Sequence, residues 1–559
     1  MNPWIFGLTA LVFISVIAGL AMYSSRKTRN GKDFLVAGRE THPFVMAISY
    51  GSTFISTSAI IGFGGVAATY GLGIQWLTFM NIFVGIFIAF IFFGKKTRRI
   101  GNLLDAKTFP EFIAKRFASS KLKVIISLVI FLFMPFYASA VLVAGARFLQ
   151  TVLQEMLPLS ADMAQTNPDF YYHVSLVIFA ILIAFYVILG GLKGIMYTDA
   201  LLGSIMLLGL TSLLVLGYYR LGGVVEAHKA LSDMAYLFQD RLPDFYKDGA
   251  RGWTVMPEIN TVWWWTLVST LIFGVGIGAL AQPQLVVRFM SVKSCRELNR
   301  AVMIGAFFIL MTVGSAYLIG ALSNVFFWQQ KQQIAFEAAG GNMDRIIPLF
   351  ISSALPPVVL YVFVLSMIAA AMSTLSSLYH SIGSALGYDF FLELLPSKDD
   401  GCIIRYTRIG MILGIIASLF LGFFLPGSIV ARLTAMFMGI CAASFLPAYV
   451  ASVYWKRATA AGVWASIISG FSLSLFGLIF LHRAEAKALG LCQLLTGRDV
   501  LISGHPFPVM DPLVYALPVS ALMLILVSLF TRPPETAVLL DAAENNMEQC
   551  PAETADKTN

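Results

Sequence analysis

Charge is scarce in this chain. Only 12% of its 559 residues are Asp, Glu, Lys or Arg while 58% are hydrophobic, which excludes a soluble globular domain, where about a quarter are charged. Cysteine is also scarce. The five present (Cys295, Cys402, Cys441, Cys492, Cys550) fall on different sides of any membrane threading or within it, and only Cys492 is clearly external, so no disulfide framework follows. The six histidines (His42, His173, His228, His380, His482, His505) form no convergent catalytic set. Only His380 belongs inside a helix, where it packs near the cytoplasmic end. Strand-like alternation is missing too, and the apolar runs are too long for barrel strands.

What remains is a polytopic helical membrane protein, partnered by the lipid bilayer. Uncharged stretches recur from Trp4 to Tyr23 through Leu513 to Phe530, about 13 in all, each near the ~20 residues a bilayer requires. Backbone groups in lipid must satisfy themselves, so each is a helix. The first is an anchor rather than a signal peptide, because Arg26, Lys27, Arg29 and Lys32 follow it instead of preceding it. Threading from an external N-terminus puts most Lys and Arg in cytoplasmic loops and the C-terminus inside. The densest basic loop, Lys95 to Lys123, contributes much of this bias. The net charge of +8 therefore reads as membrane orientation and makes no case for nucleic acid. Arg147 and Arg432 are the cations left within spans, near helix ends where they can snorkel. Trp263, Trp264, Trp265 and Trp328 fall at the outer interface as anchors.

Residues Ala369 to Ser377, AAAMSTLSS, carry hydroxyls inside an otherwise apolar helix. Positions three or four apart share a face, so Ala370, Ser373 and Thr374 cluster, and Ser373, Ser376 and Ser377 overlap that cluster. Such a group can offer oxygens to a small cation, or simply pack a helix closely. Two other segments are irregular. Ser49 to Gly65, SYGSTFISTSAIIGFGG, is rich in Gly, Ser and Thr, and Phe273 to Pro283, FGVGIGALAQP, has three glycines at alternating positions. Both read as broken helices, tolerated in lipid only where the freed backbone lines a cavity or binds something. They fall in the second and seventh spans, five apart, as in a transporter built from inverted repeats.

The resulting division is a first helix and cytoplasmic loop (1–43), a first repeat of helices 2–6 (44–218), an external loop (219–261), a second repeat of helices 7–11 (262–456), two peripheral helices (457–531) and a disordered cytoplasmic tail (532–559). The fold class is all-α, with a five-plus-five inverted-repeat core.

In order along the chain stand DFLVAGR at Asp33, the broken second span, TFPEFIAKRF at Thr108, LGGLKGIMYTDA at Leu189, AQPQLVVRFMSVKS at Ala281, AAAMSTLSS at Ala369 and FLPAYVASVYWKRATAAG at Phe445. The chain resembles the sodium/solute symporter family, carriers of proline, pantothenate, monocarboxylates, sugars and other small solutes. The resemblance implies the leucine-transporter-like fold, sodium as coupling ion, a small-molecule substrate, alternating access in the plasma (inner) membrane, and neither enzymatic activity nor a cofactor. Carried over residue by residue, it implies a sodium site of Ser52, Ile55 and Ala370 carbonyls with the Ser373 and Thr374 hydroxyls. It also raises a second site at Asp199, Ser373, Ser376 and Ser377. Asp199 could instead tune the release path or pair with a basic residue. Leu202 stands where many relatives have glutamine.

The substrate cavity is expected between the broken spans, at Thr53, Phe54, Ser56, Thr57, Gly274, Gly276, Gly278 and Gln282. Phe54 replaces the acidic residue of proline carriers and the asparagine of sugar carriers, so the reading leans to a small organic acid, with an amino acid such as proline as the alternative. A sensor would need a signalling domain, for which the tail after Arg532 is too short. A passive channel fits broken midplane helices poorly.

Overall fold

The computed structural model describes residues 3–28, 30–156, 169–243, 249–395, 399–424 and 430–532. Among these residues the regular structure is helical, apart from one isolated bridge between Thr41 and Val292. The expected disordered tail, apart from Arg532, lies outside the described residues.

Among the described residues eleven helices are long and apolar enough to cross a membrane, and Pro43–Phe54 with Ser58–Tyr70 forms a further span bent by 53°. One of the eleven, Phe170–Arg220, has 51 residues, or about 76 Å of helix, far beyond the ~30 Å hydrocarbon core. It turns at Gly191, whose φ of 57° and ψ of −171° suit a residue without Cβ. Phe170–Arg220 therefore has the length for two crossings, the fifth and sixth, which brings the count among the described residues to thirteen.

Burial separates core from periphery. Over an apolar 18-residue stretch of each span, 89% of the residues are buried in the eleventh, Val430–Tyr454, and 67% in the ninth, Val359–Leu394, against 22% in the first, Gly7–Lys27, and 28% in the thirteenth, Leu513–Phe530. An apolar helix left open on a large face is what lipid contact requires.

The seventh span, Val262–Met290, corrects one expectation. Gly276 and Gly278 lie within helical backbone, and the break falls at Gln282 (φ −76°, ψ 121°). Pro283 forces this, because proline pushes the residue before it out of the helical region and is itself suited to the first position of the next helix, Pro283–Met290. The glycines serve close approach instead: a Cβ on Gly278 would sit 2.5 Å from the Met438 carbonyl oxygen, and one on Gly276 2.8 Å from the Met80 Cβ.

The segment after the sixth span folds back on the helical body. Trp253 is fully buried, its indole N–H donates to the Ala68 carbonyl at 2.7 Å, and its own carbonyl accepts from the Leu72 amide at 2.6 Å. Trp263 also departs from its expected place as an interfacial anchor. It is 3% exposed and packs on Tyr70 with ring centroids 3.9 Å apart.

Candidate functional site

The second span breaks at Ile55 (φ −94°, ψ 96°). The Ile55 amide still donates to the Gly51 carbonyl at 2.8 Å, but the Ser56 carbonyl then accepts from Ala59 and Ile60, and the Ser56 hydroxyl accepts from the Ala59 amide at 3.3 Å. Hydroxyls that bond nearby backbone give the chain an alternative to the helical ladder, so the break falls in the Ser/Thr-rich segment.

The ninth span runs against this break. Thr57 donates its hydroxyl to the Met367 carbonyl at 3.2 Å. Thr374 Oγ1 donates to the Thr53 carbonyl at 3.0 Å and lies 3.4 Å from that of Ser52, while Ser373 Oγ donates to Ser52 Oγ at 2.9 Å. Ala370 lies one turn from Ser373 and Thr374 on the same helix and is fully buried. Ser52 was expected to contribute backbone alone, yet its hydroxyl belongs to this cluster.

A second polar cluster adjoins the first through Ser49 and Thr53. Asp199, in the sixth span, accepts from Ser49 Oγ at 3.0 Å, Thr53 Oγ1 at 3.2 Å, Ser376 Oγ at 3.3 Å and Ser377 Oγ at 3.5 Å. Gly203, one turn on, allows the close approach, because a Cβ there would lie 3.1 Å from the Ser52 Cβ and 2.6 Å from Ile48 Cγ2.

Arg288 completes this cluster. Its Nη2 donates to Asp199 Oδ2 at 2.9 Å and to Thr53 Oγ1 and Ser377 Oγ at 2.6 Å each, its Nε to Ser49 at 3.2 Å and its Nη1 to the Gln284 carbonyl at 2.6 Å. Both charged side chains are fully buried. Arg288 was expected in a cytoplasmic loop. It lies instead on the helix that follows the Gln282 break, inside the seventh span. The signal that could have found it was Asp199 itself, since a buried carboxylate in a membrane calls for a cation.

Between the broken spans lies a central space of about 10 Å³, bordered by Phe54, Ser56, Asn81, Tyr137, Tyr317 and Thr434 among others. That is about one water's worth of room. Phe54 and Ser56 were expected here. Thr53 turns to Arg288, Thr57 to Met367, and Gly274, Gly276, Gly278 and Gln282 are not among its lining residues. Asn81, Tyr137, Tyr317 and Thr434 come from the third, fourth, eighth and eleventh spans, and no local pattern marks them. The Asn81 Oδ1 is buried without a hydrogen-bond partner.

A many-spanning helical body with a broken span facing a hydroxyl-bearing helix defines an integral membrane transporter. The model of the sodium:solute symporter family matches residues 34–470, and the chain belongs to that family. It is 25% identical over 491 residues to the osmoregulated proline transporter OpuE of Bacillus subtilis (strain 168), covering 87% of this chain and 90% of that one. It is 26% identical over 474 residues to the sodium/pantothenate symporter of Haemophilus influenzae, covering 83% and 88%. In fold it is similar to a Na+-coupled sialic acid symporter solved in a substrate-bound outward-open state, with a TM-score of 0.71 at 17% identity, covering 95% of this chain and 98% of that one. The family is one of transporters, not enzymes, and its coupling ion is sodium.

Proposed function

We propose that this symporter imports a small carboxylate with one sodium ion held at the break in the second span. The observation that carries the reading is the placement of the Ser373 and Thr374 hydroxyls against the Ser52 and Thr53 backbone. Carbonyls of an unwound turn and neutral hydroxyls supply dipoles without fixed charge, so the ion is bound and can leave. In this reading the ligands are the Ser52, Ile55 and Ala370 carbonyls with the Ser373 and Thr374 hydroxyls. Sodium draws the second and ninth spans together, and its release to the cytoplasm loosens them.

Arg288 supports the one-ion reading. Its guanidinium sits among Asp199, Thr53 and Ser377, so a positive charge built into the protein stands among the oxygens expected to hold a second ion. One sodium driven by a tenfold gradient and ~100 mV supplies about 1.4 plus 2.3 kcal/mol. Moved with one monocarboxylate it carries no net charge, which leaves the chemical gradient and about tenfold accumulation.

The carboxylate reading rests on the central space. Among the described residues no acidic side chain lines it to take an ammonium, while hydroxyls and an amide can donate to a carboxylate. Phe54 supplies an apolar wall. A zwitterionic amino acid, its ammonium on freed carbonyls, is the alternative, in keeping with the proline carriers among the relatives. The N-terminus and the 219–261 segment then lie outside, in the plasma membrane. Uptake of tritiated pantothenate, pyruvate and proline into proteoliposomes under an imposed sodium gradient tests the reading. Sodium-dependent uptake of an acid without net current supports it. Uptake of proline alone, with current, favours the alternative.

A further inference from the structure

A cavity of about 460 Å³ lies over the central space, walled by three of the spans that also border that space, the second, seventh and eleventh. Val66 on the second span, Thr270 and Leu271 on the seventh and Ala431 and Arg432 on the eleventh border it, about one turn from Phe63, Val275 and Thr434 of the space below. Between the two, Thr434 Oγ1 donates to Ser58 Oγ at 3.0 Å. The volume is that of a small-ligand pocket. Its far rim is the short helix Arg483–Leu489, which brings His482, Arg483 and Lys487 to the cavity.

The charges at this rim do not cancel. Glu485 takes both Arg432 and His482 as partners. Against burial, which alone would raise it, those two cations hold the Glu485 carboxyl down to about 2. Glu485 in turn holds His482 above its usual value, overcoming the opposite effect of burial. Asp511 faces the same histidine from the neighbouring loop, and Asp344 borders the cavity from another and is engaged in its own contacts. Arg483 and Lys487 are exposed, and among the described residues no salt bridge involves them. Two free cations thus border a concave, mostly apolar chamber, on the face assigned above to the outside, where positive charge works against the usual orientation bias.

We propose that this chamber is a sodium-independent docking site for a small solute carboxylate, held by Arg483 and Lys487 before it passes the Ser58–Thr434 contact. A cationic mouth raises the local concentration of anions and speeds their entry. The inference rests on the carboxylate reading of the transported solute and extends it to a second, outer site.

The test uses the full chain in nanodiscs of zwitterionic lipid, without sodium, with saturation-transfer NMR reading two probes: pantothenate and its neutral alcohol analogue panthenol. Pantothenate should give a saturable signal that panthenol does not. The double variant Arg483→Glu/Lys487→Glu should weaken it about tenfold or more, and raised salt should shrink the difference between parent and variant. Arg483→Lys should retain the signal, which separates charge from folding. Equal signals from both probes, no pantothenate signal, or a signal unchanged by the double variant would overturn the proposal. Uptake separates the two readings: if proteoliposomes carry only a neutral solute while charge-dependent docking persists, the transport reading fails and the outer site stands.

Discussion

Arg288 Nη2 lies 2.9 Å from Asp199 Oδ2 with both side chains fully buried, and the two residues come from spans on either side of the external segment. The pair joins the helix after the seventh-span break to the sixth span, and both bond Ser49 and Thr53 just before the second-span break. Both broken spans are therefore tied to one buried charge pair.

Removing one member of such a pair strands the other, at a cost of about 3–5 kcal/mol. Arg288→Gln should lower uptake about tenfold or more at equal expression, and Asp199→Asn/Arg288→Gln should recover part of the loss, a coupling that a double-mutant cycle measures. Arg288→Gln alone should also give sodium dependence with a higher Hill coefficient, because Asp199 with Ser376 and Ser377 is then left to recruit an ion. Additive losses with an unchanged Hill coefficient would remove the pair from the coupling account.

Phe54 borders the central space and is 5% exposed. Phe54→Ala should raise the KM for the solute several-fold or broaden selectivity, while sodium affinity moves less, since the adjoining sodium ligands act through main chain. Transport kinetics equal to the parent across several solutes would take Phe54 out of the site.

The outer rim should carry its own pH signature. Burial pushes Asp511 from 3.8 up to about 7, so its contribution to stability is full below about pH 4 and is lost as pH rises through 7. Glu485, lowered from 4.5 to about 2, contributes fully above about pH 4.5 and loses that contribution as pH falls towards 2. Melting temperature against pH should therefore fall on both sides of roughly pH 4.5. Asp511→Asn should flatten the fall on the alkaline side, and Glu485→Gln the acid side. Parallel profiles for parent and variants would show that neither group titrates this way.

Much of the architecture was legible in the sequence because lipid imposes length and self-satisfied backbone on each span. The thirteen crossings, the break near Ile55 and the hydroxyl face at Ser373 and Thr374 all follow from local pattern. Gly276 and Gly278 misled because glycine in a membrane helix signals a break and a close approach alike, and only the neighbours Met80 and Met438 decide between them. Arg288 reads as a loop residue from local pattern alone, because its partner Asp199 lies in another span. Asn81, Tyr137, Tyr317 and Thr434 sit on four different spans, and packing alone brings them to one space.

The most direct test of the sodium site is equilibrium binding of radioactive sodium to the purified protein and to Ser373→Ala and Thr374→Ala. Losing one of five ligands should weaken sodium binding about tenfold, while melting temperature in the absence of sodium stays near that of the parent, since a surplus hydroxyl bond contributes only about 1 kcal/mol. Sodium binding equal to the parent in both variants, with a change in stability alone, would show that these hydroxyls only pack the ninth span against the second.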